Sequence, residues 1–169
     1  MQLVFIDEKY TDYLRVVDTR VPYNKNVGYK RPFVGVVFEI GEHKYFAPLT
    51  SSGKGVKLQT APMQESITFL PINNCRHGGI NFNNMIPVVD GVCALADTVT
   101  TTHDTDAEKK YKVLLQIQLS FINSNKKKIE TKAQALYRLQ TNGHLWDNYK
   151  TITCDFKKLE KRAKTYLQA

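Results

Sequence analysis

FVGVVFEI (Phe33–Ile40), followed by Gly41-Glu42 and then KYFAPL (Lys44–Leu49), decides the fold class of this chain. The first run is rich in β-branched and aromatic residues, the Gly-Glu pair is turn chemistry, and the second run is again apolar, which predicts a β-hairpin. Upstream, Leu3–Ile6 reads as a short strand. Asp7 then has the position of a helix N-cap, with Tyr10, Tyr13, Leu14 and Val17 at helical spacing through about Val17. Between this helix and the hairpin, VPYNKNVGYKR (Val21–Arg31) is polar, aromatic and basic and reads as a loop.

Downstream of the hairpin, Thr50 to Ala61 reads as a loop rich in Ser, Gly and Lys. Further strands are expected at Ser66–Leu70, Ile80–Phe82 and Met85–Val89, with their prolines at strand ends or edges. From Thr105 the pattern turns helical. Thr105 and Glu108 have capping-box spacing for a helix to about Asn123. A second helix from about Lys126 places Ile129, Ala133, Leu136 and Leu139 on one face, with Gly143 just past its end. A last helix from near Asp155 turns Phe156, Leu159 and Ala163 inward. Strands in the first half and helices in the second predict an α+β fold, and no repeat or linker divides the 169 residues, so one domain over 1–169 is expected.

Composition narrows the function classes. The apolar fraction of 42% and charged fraction of 24% are those of a water-soluble globular chain. Its net charge of +8 favours capture of phosphate polyanions, although a merely basic surface is the plain alternative. Cys75, Cys93 and Cys154 are widely spaced and form no CxxC pair, which argues against a disulfide framework or a zinc site. The N-terminal MQLVFIDEKY becomes charged after six residues, unlike a signal peptide, so a cytoplasmic location is expected. Walker A, Rossmann, HExxH and GxSxG motifs are missing, and the acidic residues do not pair as in a two-metal nuclease. No cofactor or metal is therefore expected.

Three groups of residues could carry phosphodiester chemistry. Thr50, Ser51 and Ser52 supply hydroxyls, Gly53 and Gly55 free the backbone, and Lys54 and Lys57 add charge. Hydroxyls and N–H groups hold phosphate oxygens, and an ammonium offsets charge that develops in the transition state. The plain reading of the same stretch is a solvated turn. A second group is Tyr10, on the first helix, with Tyr23, Tyr29, Lys30 and Arg31 in the first long loop. Aromatic faces there could stack on bases beside cations that hold phosphates, while core packing is the alternative for Tyr10. A third is Lys126, Lys127 and Lys128, cations at a helix start, where the dipole opposes them. Of the four histidines only His77, beside Arg76 and Gly78-Gly79, is kept as a candidate RNA contact.

Taken together these stretches resemble the toxins of type III toxin–antitoxin systems, the ToxN/AbiQ-like endoribonucleases. The resemblance runs through the N-terminal strand and helix with Tyr10, then FVGVVFEIGEHKYFAPLTS (Phe33–Ser51) and NFNNMIPV (Asn81–Val88). It continues in YKVLLQIQLSFINSNKKKI (Tyr111–Ile129) and CDFKKLEKR (Cys154–Arg162). It implies a twisted antiparallel sheet with flanking helices, like the Kid/MazF barrel. It also implies metal-independent cleavage of A-rich RNA that leaves a 2′,3′-cyclic phosphate. The partner implied is a small repetitive pseudoknot RNA antitoxin that the toxin itself processes, assembled with it into closed rings. Thr50 and Ser51 fall on the family's Thr/Ser pair, and Tyr10 and Tyr29 on its site tyrosines. An ungapped reading puts Gly53 at the lysine position, so Lys54 fills that role through a one-residue shift, which glycine makes easy. Lys30 or Arg31 stands in for a second basic residue before the FVG strand. The rival reading is a non-catalytic RNA-binding protein using the same basic loops.

Overall fold

The computed structural model describes residues 1–23, 31–50 and 65–166. Its strands are β1 (Gln2–Ile6), β2 (Phe33–Ile40), β3 (His43–Thr50), β4 (Phe69–Pro71), β5 (Gly79–Asn81), β6 (Ile86–Val88) and β7 (Cys93–Leu95). Its helices are α1 (Glu8–Arg15), α2 (Asp106–Ser124), α3 (Lys126–Thr141), α4 (Asp147–Lys150) and α5 (Phe156–Tyr166), and a 3-10 turn covers Phe82–Asn84. The α+β class expected from the sequence is what forms.

Local chemistry sets the helix starts. The Asp7 carboxylate accepts from the Lys9 N–H at 2.9 Å and opens α1, satisfying one of the N–H groups a helix start leaves free. Thr105 and Glu108 close the full capping box of α2, each side chain bonded to the other's backbone N–H. Ile129, Ala133 and Leu136 are buried along one face of α3, and Gly143 follows that helix at a φ of 75°.

All strand pairs are antiparallel, in the order β4-β5-β3-β2-β1-β7, with β6 also paired to β3. The hairpin strand β3 changes neighbour along one edge. Lys44–Phe46 face β6, whereas Leu49 and Thr50 face β5. Pro48 lies between the two. Successive residues of a strand bond to opposite sides, and the Leu49 N–H bonds toward β2, to the Pro32 carbonyl at 2.9 Å. The N–H that Pro48 lacks would therefore point at the gap between β6 and β5, where it costs no ladder bond. On β2 the register slips between Val34 and Phe38, a bulge that bends the sheet. Among the described residues β4 and β7, the two ends of the strand order, do not pair, so the sheet is open and the expected Kid/MazF-like closure is not formed.

The shorter strands depart from the expected bounds for local reasons. Ser66 and Phe69 bond each other through their backbones, and Ser66 Oγ accepts from the Thr68 N–H. A tight turn thus replaces the first residues of the strand expected at Ser66–Leu70. Phe82 leaves β5 to begin the 3-10 turn.

One face of the sheet packs under α3 and α5. Tyr45 on β3 stacks on Phe38 at 4.8 Å between ring centroids and meets Tyr137 of α3 and Phe156 of α5 edge-on. The hydroxyls of Tyr45 and Tyr137 both donate to one oxygen of the buried Glu160, at 2.9 and 2.7 Å, and Lys157 Nζ donates to the other at 2.9 Å. This carboxylate joins sheet, α3 and α5 into a single polar pin inside an apolar layer.

Candidate active site at the Thr50 end of the sheet

Strand register assembles the site. Phe33 pairs with Pro48, and the Leu49 N–H bonds the Pro32 carbonyl, so one further step sets Arg31 directly opposite Thr50. Such cross-strand partners share a face with their Cβ atoms about 5 Å apart. On the other side Thr50 pairs with Gly79 of β5. No other residue fits at Gly79, because a Cβ there would lie 2.1 Å from Cζ of Phe69 and 2.9 Å from the Leu70 carbonyl oxygen. Arg31, Thr50 and Gly79 therefore lie side by side at one end of the sheet. Thr50 and Arg31 are both half-buried. Burial pushes the Arg31 guanidinium below its ordinary pKa.

This juxtaposition has a covalent consequence. The chain enters β2 at Arg31 and leaves β3 at Thr50, so residues 24–30 and 51–64 are joined to the sheet at neighbouring positions. Those two stretches carry Tyr29, Lys30, Ser51, Ser52, Gly53, Lys54 and Lys57, all of which lie outside the described residues.

The β4–β5 connection turns at the same end. Asn73, Asn74 and Cys75 follow one another at φ values of 49°, 54° and 66°, and Gly78 lies at 83°. Asparagine tolerates the left-handed region, but a run of three non-glycine residues in it is uncommon. The turn is closed by the Ile72 N–H on the Gly78 carbonyl at 2.9 Å and the Arg76 N–H on the Asn73 carbonyl at 3.1 Å. Two side chains then fix His77. Asn73 Nδ2 donates to its Nδ1 at 3.1 Å, and Gln118 Nε2 of α2 donates to its backbone carbonyl at 2.8 Å. Gln118 is only 3% exposed, and its Oε1 has no partner among the described residues. Neither Asn73 nor Gln118 is among the residues that sequence alone singles out. The available signal was a glutamine between Leu115 and Ile122 on the buried stripe of α2, where an apolar residue is the ordinary occupant.

The remaining candidates lie elsewhere. Tyr10 is fully buried, its hydroxyl donates to the Pro87 carbonyl at 2.7 Å, and its ring meets Tyr166 edge-on at 4.9 Å. Burial pushes that hydroxyl's pKa well up. Pro87 pairs with Tyr45, and the run from Tyr45 to Thr50 along β3 spans about 17 Å, so the structure does not bring Tyr10 to Thr50. Tyr23 is about half exposed, with the Arg15 guanidinium over its ring at 5.0 Å. Lys126 and Lys127 are exposed at the start of α3. Their neighbours Lys128 and Lys132 both bond the carboxylate of Glu65, at 2.7 and 3.2 Å, where the described chain resumes after residue 64. Among the described residues no three His, Cys, Asp or Glu side chains gather as a metal site requires, and no helix is long and apolar enough to cross a membrane.

Comparison with known proteins adds independent observations. Residues 2–164 match the family model described as toxin ToxN of type III toxin–antitoxin systems. The endoribonuclease ToxN of Bacillus thuringiensis subsp. kurstaki is 33% identical over 165 residues, covering 95% of this chain and 81% of that protein. A solved structure from work on a bacterial antiviral system regulated by a processed non-coding RNA superposes with a TM-score of 0.80 at 31% identity, covering 98% of each chain. A second, from work on selective toxin inhibition by a non-coding RNA pseudoknot, superposes with a TM-score of 0.78 at 30% identity, covering 99% of this chain and 98% of that one.

Proposed function

The chain belongs to the ToxN family of type III toxin–antitoxin systems, and from that premise we propose that it is an endoribonuclease toxin whose active centre lies at the Thr50 end of the sheet. The observation that carries the placement is the bond from the Leu49 N–H to the Pro32 carbonyl, because it brings the points where both candidate-bearing stretches join the sheet side by side.

RNA supplies its own nucleophile. The 2′-oxygen attacks the adjacent phosphorus, the bond to the 5′-oxygen breaks, and the products are a 2′,3′-cyclic phosphate and a 5′-hydroxyl. The 2′-hydroxyl proton leaves as the 5′-oxygen gains one, so the reaction consumes no water and needs no metal to generate a nucleophile. The protein's part is to align phosphate and sugar and to offset the charge of the phosphorane. The hydroxyls of Thr50 and Ser51 hold non-bridging oxygens, Lys54 and Arg31 supply positive charge, and Tyr29 aligns the attacking sugar. Ser52, Gly53, Lys30 and Lys57 extend the contact to neighbouring phosphates, and Tyr23 offers a face to a base. Lys126 and Lys127 extend the basic surface. Tyr10 supports the fold from the core.

A-rich RNA is the proposed substrate. A small repetitive pseudoknot RNA is the proposed antitoxin, cut by the toxin and assembled with it into a closed ring in the cytoplasm. The chain as a whole, 1–169, is proposed as one domain.

Thr50→Val tests the placement, since valine keeps the shape and the β-propensity and removes only the hydroxyl. Single-turnover cleavage is expected to fall about 100-fold, the cost of losing one donor to a transition-state oxyanion, with RNA affinity and melting temperature little changed. Wild-type cleavage by this variant would move the active centre away from Thr50. A purified wild-type protein that binds RNA stoichiometrically and makes no new ends would favour the non-catalytic binder.

A further inference from the structure

We infer that His77 is a substrate-contacting residue of this reaction, its Nε2–H donating to a non-bridging oxygen of the scissile phosphate, with Asn73 and Gln118 as the positioning residues that aim it. The inference rests on the ribonuclease reading above and adds a group that the Thr/Ser/Lys stretch does not contain.

His77 lies two residues before Gly79, the cross-strand partner of Thr50, in the turn at the same end of the sheet. Thr50 thus has the chain entering β2 at Arg31 on one side and the His77 turn on its β5 side. The ring state follows from its partner. An amide nitrogen can only donate, so Nδ1 of His77 accepts from Asn73 Nδ2 at 3.1 Å and the ring proton resides on Nε2. The nitrogen turned away from Asn73 is therefore a hydrogen-bond donor, suited to a phosphate oxygen.

Two costs indicate that this turn is held for a ligand. Asn73, Asn74 and Cys75 all occupy the left-handed region, and strain of this kind gathers where a structure must aim a functional group. Gln118 is buried on the apolar stripe of α2, yet it uses only its Nε2, on the His77 carbonyl, and its Oε1 is left unsatisfied among the described residues. A buried amide on an apolar stripe is expensive, and what Gln118 supplies in return is the bond that fixes the His77 backbone to α2.

The test compares His77→Ala and His77→Gln in single-turnover cleavage of an A-rich RNA, with circular dichroism and melting temperature as controls for folding. A glutamine side chain sets its amide nitrogen near the place of imidazole Nε2, so it keeps the donor and loses the ring. His77→Ala is expected to cleave about 10- to 100-fold more slowly, and His77→Gln to recover most of that loss. Ring nitrogen chemical shifts of His77 are expected to report the Nε2–H form in the wild type and a mixture of tautomers in Asn73→Ala. Wild-type cleavage by His77→Ala would overturn the inference, and so would a His77→Gln enzyme as slow as His77→Ala, which would mark proton transfer or pure structure instead. Either result leaves the ribonuclease reading standing as long as the wild type cuts. A wild type that leaves RNA intact would overturn both.

Discussion

Lys54→Ala is expected to slow RNA cleavage about 1,000-fold or more while leaving the melting temperature within a degree or two of wild type. Cationic groups that offset charge on a transferring phosphoryl group contribute effects of this order. The family's lysine position falls on Gly53 without a gap, so this variant decides whether the chain meets the requirement one residue later. A Lys57→Ala companion separates the two lysines. If Lys57 only holds a neighbouring phosphate, its loss weakens binding and steepens no chemical step, so cleavage at saturating protein stays near wild type. Full activity in Lys54→Ala together with a collapse in Lys57→Ala would shift the role to Lys57.

Glu160→Ala is expected to do the opposite, lowering stability by about 3 kcal/mol, which for a chain of this length is a fall of roughly 6–12 °C in melting temperature. The mutation removes the acceptor that the hydroxyls of Tyr45 and Tyr137 share inside an apolar layer, leaving Tyr45 only a long bond to the Phe156 carbonyl at 3.5 Å. Glu160→Gln retains one acceptor oxygen and should lose less. The pH dependence has a definite sign. Burial alone would raise the Glu160 pKa, but hydrogen bonds from Tyr137, Lys157 and Tyr45 outweigh it and hold the carboxyl below its usual 4.5. A depressed carboxyl stabilises the fold above the unfolded pKa, and that contribution disappears as pH falls through the folded value. Asp18 behaves likewise, with burial opposed by Arg20 and by the Asp155 N–H. Urea melts at pH 7 and pH 3 check both statements: the wild type should lose stability on acidification, and Glu160→Ala should lose less of it. Equal acid sensitivity in the two proteins would contradict the role given to this carboxyl.

Local signals account for what the sequence made legible. The hairpin of β2 and β3, the Asp7 cap, the Thr105–Glu108 box and the apolar faces of α3 and α5 all declare themselves within a few residues. Strand β7 does not, because Cys93–Leu95 is exposed along its whole length and carries no alternation to read. The four-residue α4 is too short for a helical period. The same logic divides the site. Thr50 stands out once the hairpin is placed, but the pairing of Arg31 with Thr50 depends on strand register, which no local pattern prints. The alliance of His77 with Asn73 and Gln118 joins a hairpin turn to a distant helix. Tyr10 shows the converse, since a tyrosine at helical spacing reads equally as a ligand contact or a core residue, and only packing against Pro87 and Tyr166 separates them.

RNA cut by attack of its own 2′-oxygen carries a chemical signature at the ends that the cut leaves. Purified protein is incubated with an A-rich RNA in excess EDTA, and the 3′ ends of the products are analysed by mass. Fragments ending in 2′,3′-cyclic phosphate, with 5′-hydroxyl partners, are expected at the same rate with and without the chelator. Intact RNA in both conditions, or cleavage that EDTA abolishes, would contradict cleavage by this route.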